Sequence, residues 1–288
     1  MLNVLSVDVE DYFHPTEVSR FVAPHQWDCM PSRVVGSTSR ILDIFAEAGA
    51  RGTFFVLGWV AQRHPRLLER ILREGHEIGC HSYSHRLIYE ISPTEFREDT
   101  RLAKLAIEDA CGVSPRGYRA PSFSLTRQVW WALDILAELG FTHDSSIYPI
   151  SHDRYGIPNY TRVAHQIETA SGPICEVPIS TAAFAGGRRV PVGGGAYFRL
   201  FPYRYTSAGF RRLNVIEGEK VCFYIHPWEL DPGQPRLARG FLSRVRTYGG
   251  LSATESKLRR LLADFNFSTL TENHPLVIRK SSAAEAVV

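Results

Sequence analysis

The stretch RGTFFVLGWVAQRHPRLLERILREGHEIGCHSYSH, residues 51–85, decides the fold class. Its first apolar run, Thr53–Leu57, predicts a buried β-strand, and a second run, His76–Cys80, predicts another. Between them, Pro65–Arg73 begins with proline and ends shortly before Gly75, which is typical of a helix. A strand, a helix and a strand in this order predict a right-handed crossover between two parallel strands.

The same alternation continues along the rest of the chain. Further strands are predicted at Asn3–Val9, Gly117–Arg119, Phe141–Asp144, Ile174–Ile179, Lys220–Ile225 and Phe267–Thr271. Further helices are predicted at Ser37–Ala48, from the capping box at Ser92 to Cys111, at Thr126–Leu139, and from the capping box at Ser252 to about Phe265. The alternation predicts an α/β protein built on a mostly parallel sheet, either open or closed into a barrel.

Nothing in the composition marks a domain boundary. We therefore predict a single domain over residues 1–275 and a flexible C-terminal tail over residues 276–288. The segment 183–212 contains glycine runs and many aromatic residues, and it predicts a long irregular insertion. Four of its aromatic residues are Tyr197, Phe198, Tyr203 and Tyr205. They fit either a glycan or lipid-carrier site or a small core of the loop itself.

The composition excludes several classes of protein. The chain has 288 residues, of which 44% are hydrophobic, and can bury a sizeable core. With 33 Lys and Arg against 30 Asp and Glu, it lacks the electrostatic footprint of a nucleic-acid-binding protein. Five cysteines without a C-x-x-C pair predict free thiols in a reducing compartment. The N-terminal sequence has no signal-peptide pattern, and no window approaches ~18 apolar residues. We therefore expect a cytoplasmic protein, at most in peripheral contact with the inner face of the membrane.

Chemically capable side chains collect where the predicted strands end. They are Asp8, Glu10, Asp11, His81, His85, Arg119, Asp144 and His226. In parallel α/β proteins the carboxyl ends of the strands form the ligand site. Each of these residues alone is typical of a cap or a turn. Two imidazoles and a carboxylate at one edge, however, predict a three-ligand metal site with open positions for water or substrate.

The spacing of these residues is consistent with that chemistry. His81 and His85 are four residues apart, which places both rings on one side of a helical turn or loop. Asp8 and Glu10 are two residues apart and point to the same face of an extended strand. One of these carboxylates can therefore bind a metal while the other handles a proton. Asp11 points the other way unless the strand ends there.

Six motifs occur in a fixed order along the chain. They are SVDVEDYF (6–13), TFFVLG (53–58), REGHEIGCHSYSH (73–85), GYRAPSFS (117–124), DSSIYP (144–149) and FYIHPWEL (223–230). In this order they resemble the signature of the polysaccharide deacetylases of the NodB-homology superfamily, the carbohydrate esterase family 4 type. The DVEDYF variant and the GGGAYFRLFPYRY segment (193–205) are most similar to the deacetylases of exopolysaccharide loci in bacteria that carry exosortase systems.

The resemblance implies a distorted (β/α) barrel of about seven strands. It also implies removal of N-acetyl groups from N-acetylhexosamine residues of a polysaccharide or its lipid-linked precursor. His81 and His85 would bind a divalent metal, with an acidic third ligand from the first motif. Zn²⁺ suits such ligands, and Co²⁺, Ni²⁺ or Mn²⁺ are alternatives. From their shared face we assign Asp8 as the catalytic base and Glu10 as the metal ligand, with Asp11 as the alternative ligand.

The resemblance implies roles for residues of the later motifs as well. Arg119 would orient the catalytic base through a salt bridge. Asp144 would pair with His226 and raise its pKa, so that His226 protonates the departing amine. The backbone N–H of Ser122, after the turn at Pro121, is a candidate oxyanion donor in substrate binding.

Parts of this pattern allow other interpretations. Trp228 fits a wall of the acetyl pocket or a platform for a sugar ring, but also ordinary packing in the core. Hydrolases of cyclic amides, such as allantoinase-like enzymes, share the fold and the metal ligands, and function does not follow from the fold alone. A non-catalytic scaffold protein of a polysaccharide-assembly complex is the third interpretation, and the complete set of catalytic residues argues against it.

Overall fold

The structure, a computed structural model, describes residues 1–183 and 189–275. Its β-strands are β1 (Leu2–Val9), β2 (Thr53–Val56), β3 (Glu77–Cys80), β4 (Gly117–Tyr118), β5 (His143–Asp144), β6 (His165–Ile167), β7 (Ile174–Glu176), β8 (Thr181–Ala183), β9 (Arg189–Pro191), β10 (Cys222–Ile225) and β11 (Asn266–Ser268). Its α-helices are α1 (Thr16–Ser19), α2 (Val34–Ala48), α3 (Gly58–Arg63), α4 (Pro65–Arg73), α5 (Pro93–Cys111), α6 (Trp131–Glu138), α7 (Gly195–Leu200), α8 (Tyr203–Arg211), α9 (Phe241–Tyr248), α10 (Leu251–Asp264) and α11 (Leu270–Asn273).

Parallel strands form the main sheet, in the order β10-β1-β2-β3-β4-β5-β7. Strand β11 pairs with the first residues of β1, and β6 pairs with β7 in the antiparallel sense. Backbone hydrogen bonds from the segments after β7 and β9 connect to β10: Ser180 N donates to Cys222 O (3.3 Å), and Tyr224 N donates to Gly193 O (2.8 Å). The curled sheet confirms the predicted α/β fold, a distorted (β/α) barrel.

Alternate side chains of strand β1 belong to two different hydrophobic cores. Leu5 and Val7 belong to a large apolar cluster that includes many helical residues. Val4 belongs to a smaller cluster that also contains Phe55. Because successive side chains of a strand point to opposite faces, the large cluster lies between the sheet and the helices, and the small one fills the barrel. Asp8, which is an even number of residues from Val4, therefore points into the barrel.

The prediction of an irregular insertion over residues 183–212 is wrong for the part that the structure describes. Strands β8 and β9 form an antiparallel hairpin, and helices α7 and α8 follow. The glycine run that suggested a loop lies against β10. A Cβ atom on Gly194 would stand 1.9 Å from the carbonyl oxygen of Tyr224, and Gly194 has a φ of 121°. Glycine is required there because the two backbones are in contact.

Two further boundaries differ from the prediction. Helix α10 begins at Leu251, so the pattern Ser252–Glu255 lies inside its first turn and does not form a capping box. The predicted strand Phe267–Thr271 is shorter, because the hydroxyl of Thr269 caps the short helix α11. The predicted flexible tail, 276–288, lies outside the described residues. Within residues 1–183 and 189–275, no helix is long and apolar enough to cross a lipid bilayer.

Candidate active site

Asp8 and Arg119 form a buried ion pair inside the barrel. Asp8 lies near the end of β1, and its Oδ1 accepts a hydrogen bond from Arg119 Nη1 at 2.9 Å. The same nitrogen donates to Ser6 Oγ, and Nε and Nη2 of Arg119 donate to the carbonyl oxygen and the hydroxyl of Ser145. Arg119 is fully buried, so these bonds hold its guanidinium in one position. The structure thus brings together the two residues that the sequence assigns as base and orienting arginine.

Glu10, His81 and His85 form a second buried group. Glu10 Oε1 lies 3.0 Å from Nε2 of His81 and 3.0 Å from Nε2 of His85. One possible ligand atom from each residue lies within 4.8 Å of the others, as atoms that share a metal ion must. Although burial alone would raise the pKa of Glu10, the imidazoles of His85 and His226 hold it well below its ordinary value. The carboxylate is therefore charged and available as a ligand.

The chemistry of this group fits a divalent metal. Nδ1 of His81 lies 2.8 Å from the carbonyl oxygen of Arg119, so Nδ1 carries the proton and donates it there. In the neutral ring the lone pair of Nε2 then faces the Glu10 carboxylate, which is the arrangement expected of two ligands of one cation. A carboxylate and two imidazoles are ligands that Zn²⁺ accepts, and they leave positions open for water or substrate.

The loop after β3 holds both histidines by a network of hydrogen bonds. Ser82 and His85 have left-handed φ angles of 66° and 54°, and His85 N donates to Ser82 Oγ at 3.1 Å. Tyr83 N and Ser84 Oγ both donate to the carboxylate of Asp99 on α5. Left-handed backbone at residues other than glycine persists where its surroundings fix it, and it is concentrated at functional sites. The four-residue spacing therefore brings the rings together in a constrained loop.

Asp11, the alternative metal ligand, has a different environment. Its Oδ2 accepts hydrogen bonds from the backbone N–H groups of Arg33 (2.9 Å) and Val34 (3.1 Å) and from Ser32 Oγ (2.7 Å). These bonds satisfy N–H groups at the start of α2, where a helix has no internal acceptors. Because Asp11 is occupied in this way, the geometry favours Glu10 as the third ligand.

His226 follows β10 and faces both acidic side chains of the first motif. Its Nε2 lies 3.9 Å from Asp8 Oδ2 and 3.9 Å from Glu10 Oε1. On the other side of the ring, Nδ1 lies 3.1 Å from Glu229 Oε2, which also accepts a hydrogen bond from His226 N at 2.9 Å. Burial lowers the pKa of His226, but Glu10, Glu229 and Asp8 outweigh burial and raise it to about 9. These carboxylates therefore favour the protonated ring.

The predicted pairing of Asp144 with His226 is wrong. The carboxylate of Asp144 accepts hydrogen bonds from Ser146 Oγ at 2.6 Å and from Ser146 N at 3.1 Å. The next residue after Asp144, Ser145, bonds to Arg119 inside the barrel. Successive side chains of extended backbone point to opposite faces, so Asp144 points away from the barrel interior. The carboxylate beside His226 comes instead from its own turn.

Glu229 and Arg199 belong to the site, although the sequence analysis missed them. Glu229 Oε1 accepts a hydrogen bond from Arg199 Nε at 2.5 Å, and both side chains are 1% exposed. Arg199 lies on α7, and its other two nitrogens donate to the carbonyl oxygens of Arg246 and Gly249. The available signal was the HPWE sequence, in which an acid follows His226 by about one turn.

These groups open into a cavity of about 350 Å³. The predicted site residues on its wall are Asp8, Glu10, Ser122, His226 and Trp228. The Trp228 ring stacks on the His226 ring, with centroids 4.9 Å apart, and its buried Nε1 has no hydrogen-bond partner among the described residues. Trp228 therefore lines the cavity wall beside the proposed acid, with its indole nitrogen buried.

Ser122 and Pro121 form a tight turn after β4. Pro121 is buried and begins the turn, and Ser122 has a left-handed φ of 50°. The Oγ of Ser122 lies 2.6 Å from Thr16 Oγ1, which connects this turn to α1. Tyr197, from the segment that was predicted to be irregular, also lines the cavity. Phe198, the next residue, is buried and packs edge-to-face against Phe223.

Two protein families match different parts of the chain. Residues 25–143 match the polysaccharide deacetylase family, and residues 145–274 match a domain of unknown function, DUF3473. A peptidoglycan-N-acetylglucosamine deacetylase of Bacillus cereus is 33% identical over 98 residues, which are 34% of this chain and 36% of that protein. A chitooligosaccharide deacetylase of a Bradyrhizobium species is 33% identical over 101 residues, 35% of this chain and 43% of that protein. The matched region thus spans less than half the length of these curated relatives.

The similarity to a solved structure extends over nearly the whole chain. A Mycobacterium smegmatis protein classed as a polysaccharide deacetylase superposes with a TM-score of 0.62 at 20% identity, covering 98% of this chain and 95% of that one. At this identity the superposition shows a common fold. The family match is limited to residues 25–143, where the chain is similar to polysaccharide deacetylases, and the superposition shows that the fold of nearly the whole chain is shared with the Mycobacterium smegmatis protein.

Proposed function

We propose that this protein is a metal-dependent hydrolase that removes N-acetyl groups from N-acetylhexosamine residues of a polysaccharide or its lipid-linked precursor. The observation that carries the proposal is the position of His226 Nε2, 3.9 Å from both the Asp8 and the Glu10 carboxylates, beside two further imidazoles. The proposed base, the proposed acid and one proposed metal ligand, Glu10, thus line one cavity, and the two histidine ligands contact Glu10. A role in exopolysaccharide biosynthesis and a cytoplasmic location remain predictions from the sequence.

Each of these residues has a separate role in the proposed amide hydrolysis. Glu10, His81 and His85 would hold Zn²⁺, or Co²⁺, Ni²⁺ or Mn²⁺, which when bound supplies Lewis acidity to the amide carbonyl and to water. Asp8, held by Arg119, accepts the proton of the attacking water. Neutral water is a poor nucleophile, so removal of this proton as the C–O bond forms lowers the barrier.

The departing amine needs a proton when the C–N bond breaks. His226 supplies it, because Glu229 favours the protonated ring and turns Nε2 toward the same space as Asp8. The backbone N–H of Ser122, on the cavity wall, is our candidate donor to the oxyanion. Trp228 lines the same cavity, and its ring stacks on that of His226.

The test is acetate release from N-acetylglucosamine oligomers and from lipid-linked N-acetylated glycans. Asp8→Asn should lower kcat about 10²- to 10⁴-fold, because it removes the general base, and His226→Ala should abolish turnover while metal content is unchanged. The matched controls are Asp144→Asn, outside the cavity wall, and His25→Ala at an exposed position. Turnover by the His226→Ala protein would contradict the assignment of His226 as the acid. Hydrolysis of cyclic amides without acetate release would replace the proposed function by that of a cyclic-amide hydrolase. No hydrolysis at all by the metal-loaded wild type would contradict the proposed function.

A further inference from the structure

Helix α9 presents large apolar side chains to solvent. Phe241 is 83% exposed and Leu242 is 62% exposed, and Val245, one turn after Phe241, is 37% exposed. At roughly 100° per residue, these three side chains occupy one arc of the helix. Large apolar side chains are mostly buried in proteins, and neighbouring exposed ones mark interaction surfaces. We call these three residues the apolar arc of α9.

The sequence around the apolar arc is basic. Residues 232–254 contain four arginines and no Asp or Glu. They are Arg236, Arg239, Arg244 and Arg246. Among the described residues, Arg246 forms ion pairs, with Glu17 and Asp153, and no carboxylate pairs with Arg236, Arg239 or Arg244. The surface therefore carries uncompensated positive charge next to exposed apolar groups.

The same surface continues to the rim of the cavity. Arg246 on α9 lines the cavity, as do Leu200 and Phe201, each of which is 42% exposed. Leu200 packs against Gly249, directly after α9: a Cβ atom on this glycine would stand 2.5 Å from Leu200 Cδ2. Ser243 Oγ on α9 donates at 3.0 Å to Oε2 of Glu17, which also lines the cavity. The apolar arc and the cavity mouth are therefore neighbours on one face of the protein.

We propose that this face docks on the surface of an anionic lipid bilayer, with the apolar arc inserted at the level of the headgroups. A helix with apolar residues on one side and arginines around them has the composition of an interfacial helix, and its arginines attract anionic headgroups. A second copy of the chain complements this face poorly, because a twofold contact would bring arginines toward arginines. Charge complementarity thus favours a lipid phosphate surface.

Docking in this orientation would place the cavity mouth at the membrane surface. A glycan carried on a membrane lipid then reaches the catalytic residues without leaving the bilayer. This consequence for the substrate rests on the proposed deacetylase function, whereas the docking itself does not. Binding to vesicles can therefore be measured independently of any activity.

The experiment is co-sedimentation of the full chain with vesicles. We expect binding to phosphatidylcholine vesicles that contain phosphatidylglycerol, and little binding to phosphatidylcholine alone or at high salt. Phe241→Ser combined with Leu242→Ser should weaken binding about tenfold or more, because two inserted apolar side chains are lost. Arg239→Gln combined with Arg244→Gln should weaken it about 30-fold.

The chain offers a matched control for exposed apolar residues. Val215 and Ile216 are 79% and 71% exposed, outside α9, and Val215→Ser combined with Ile216→Ser should leave vesicle binding unchanged. Acetate release from short water-soluble oligomers should be the same in the Phe241 and Leu242 variant as in the wild type, which shows that it folds. The proposal is overturned if the wild type binds neither kind of vesicle or if the control pair loses binding equally. It is also overturned if the α9 variant dissociates a dimer and still binds vesicles like the wild type.

Discussion

Two groups of buried carboxyl side chains differ in charge because their partners differ. Glu229 lies between Arg199 and His226, and although burial alone would raise its pKa, these two neighbours lower it to about 2. Asp144 and Glu176 face each other instead. Burial raises the pKa of Asp144, and burial together with Asp144 raises the pKa of Glu176 well above its ordinary value. The comparison teaches that the partner, and not the residue type or burial, decides which buried carboxyl group carries charge.

The two groups also serve different parts of the molecule. Glu229 fixes the ring of His226 at the cavity wall, so its charge acts next to the proposed chemistry. Asp144 and Glu176 both have raised pKa values, and they accept hydrogen bonds from the backbone of Ser146 and Ile147 after β5. The first group therefore positions the proposed acid, and the second holds the backbone after β5 by hydrogen bonds.

Among the substitutions that test this difference, Glu229→Gln should have the largest effect on stability and activity. It leaves Arg199 buried without its carboxylate, so the free energy of unfolding should fall by about 3–5 kcal/mol. The kcat for acetate release should fall about 10- to 100-fold with metal content unchanged, because the ring of His226 loses the group that orients it. Urea unfolding and steady-state kinetics measure the two effects.

Glu176→Gln is the matched control for this prediction. An amide replaces a carboxyl group whose raised pKa keeps it largely protonated, so the loss of stability should be within about 1 kcal/mol. A second variant separates charge from packing: Arg199→Met added to Glu229→Gln should be more stable than Glu229→Gln alone, because no unpaired charge is then buried. Equal losses in Glu229→Gln and Glu176→Gln would contradict the contrast.

The sequence predicts the parts of the fold and site that depend on local spacing. Alternating strands and helices are enough to predict the parallel sheet. The two-residue period of a strand puts Asp8 and Glu10 on one face, and a spacing of four brings His81 and His85 together in a loop. Arg119 could be assigned to the same site because it ends a predicted strand of the same sheet.

The remaining parts depend on contacts between distant segments. Arg199 lies in a segment whose glycine run is typical of a loop, and only the approach of Gly194 to β10 explains those glycines. Its pairing with Glu229 joins residues 30 positions apart. Asp144 was assigned wrongly because β5 has two residues, too few to fix which side chains point inward. Tertiary packing, and not the local sequence pattern, determines these features.

The pH dependence of stability provides a smaller and independent test of the difference in charge between Glu229 and the pair Asp144 and Glu176. Folding lowers the pKa of Glu229 from 4.5 to about 2, so its contribution to stability is present above pH 4.5 and is lost as the pH falls toward 2. The difference in free energy of unfolding between wild type and Glu229→Gln should therefore shrink by about 3 kcal/mol over this range. For Glu176→Gln the wild type should gain relative to the variant as the pH falls from the raised folded-state pKa of Glu176 toward 4.5, and the difference should change little below that. Urea unfolding at a series of pH values measures both, and a pH-independent difference for Glu229→Gln would count against the charge assignment.

The most direct test of the account is the metal content of the purified protein and two carboxylate variants. After loading with Zn²⁺ and desalting, elemental analysis should find one zinc ion per chain in the wild type and in Asp11→Asn, whose side chain caps α2. Glu10→Gln should lose the metal, because the carboxylate between His81 and His85 is gone. Full zinc occupancy in Glu10→Gln, or loss of zinc in Asp11→Asn, would contradict the account.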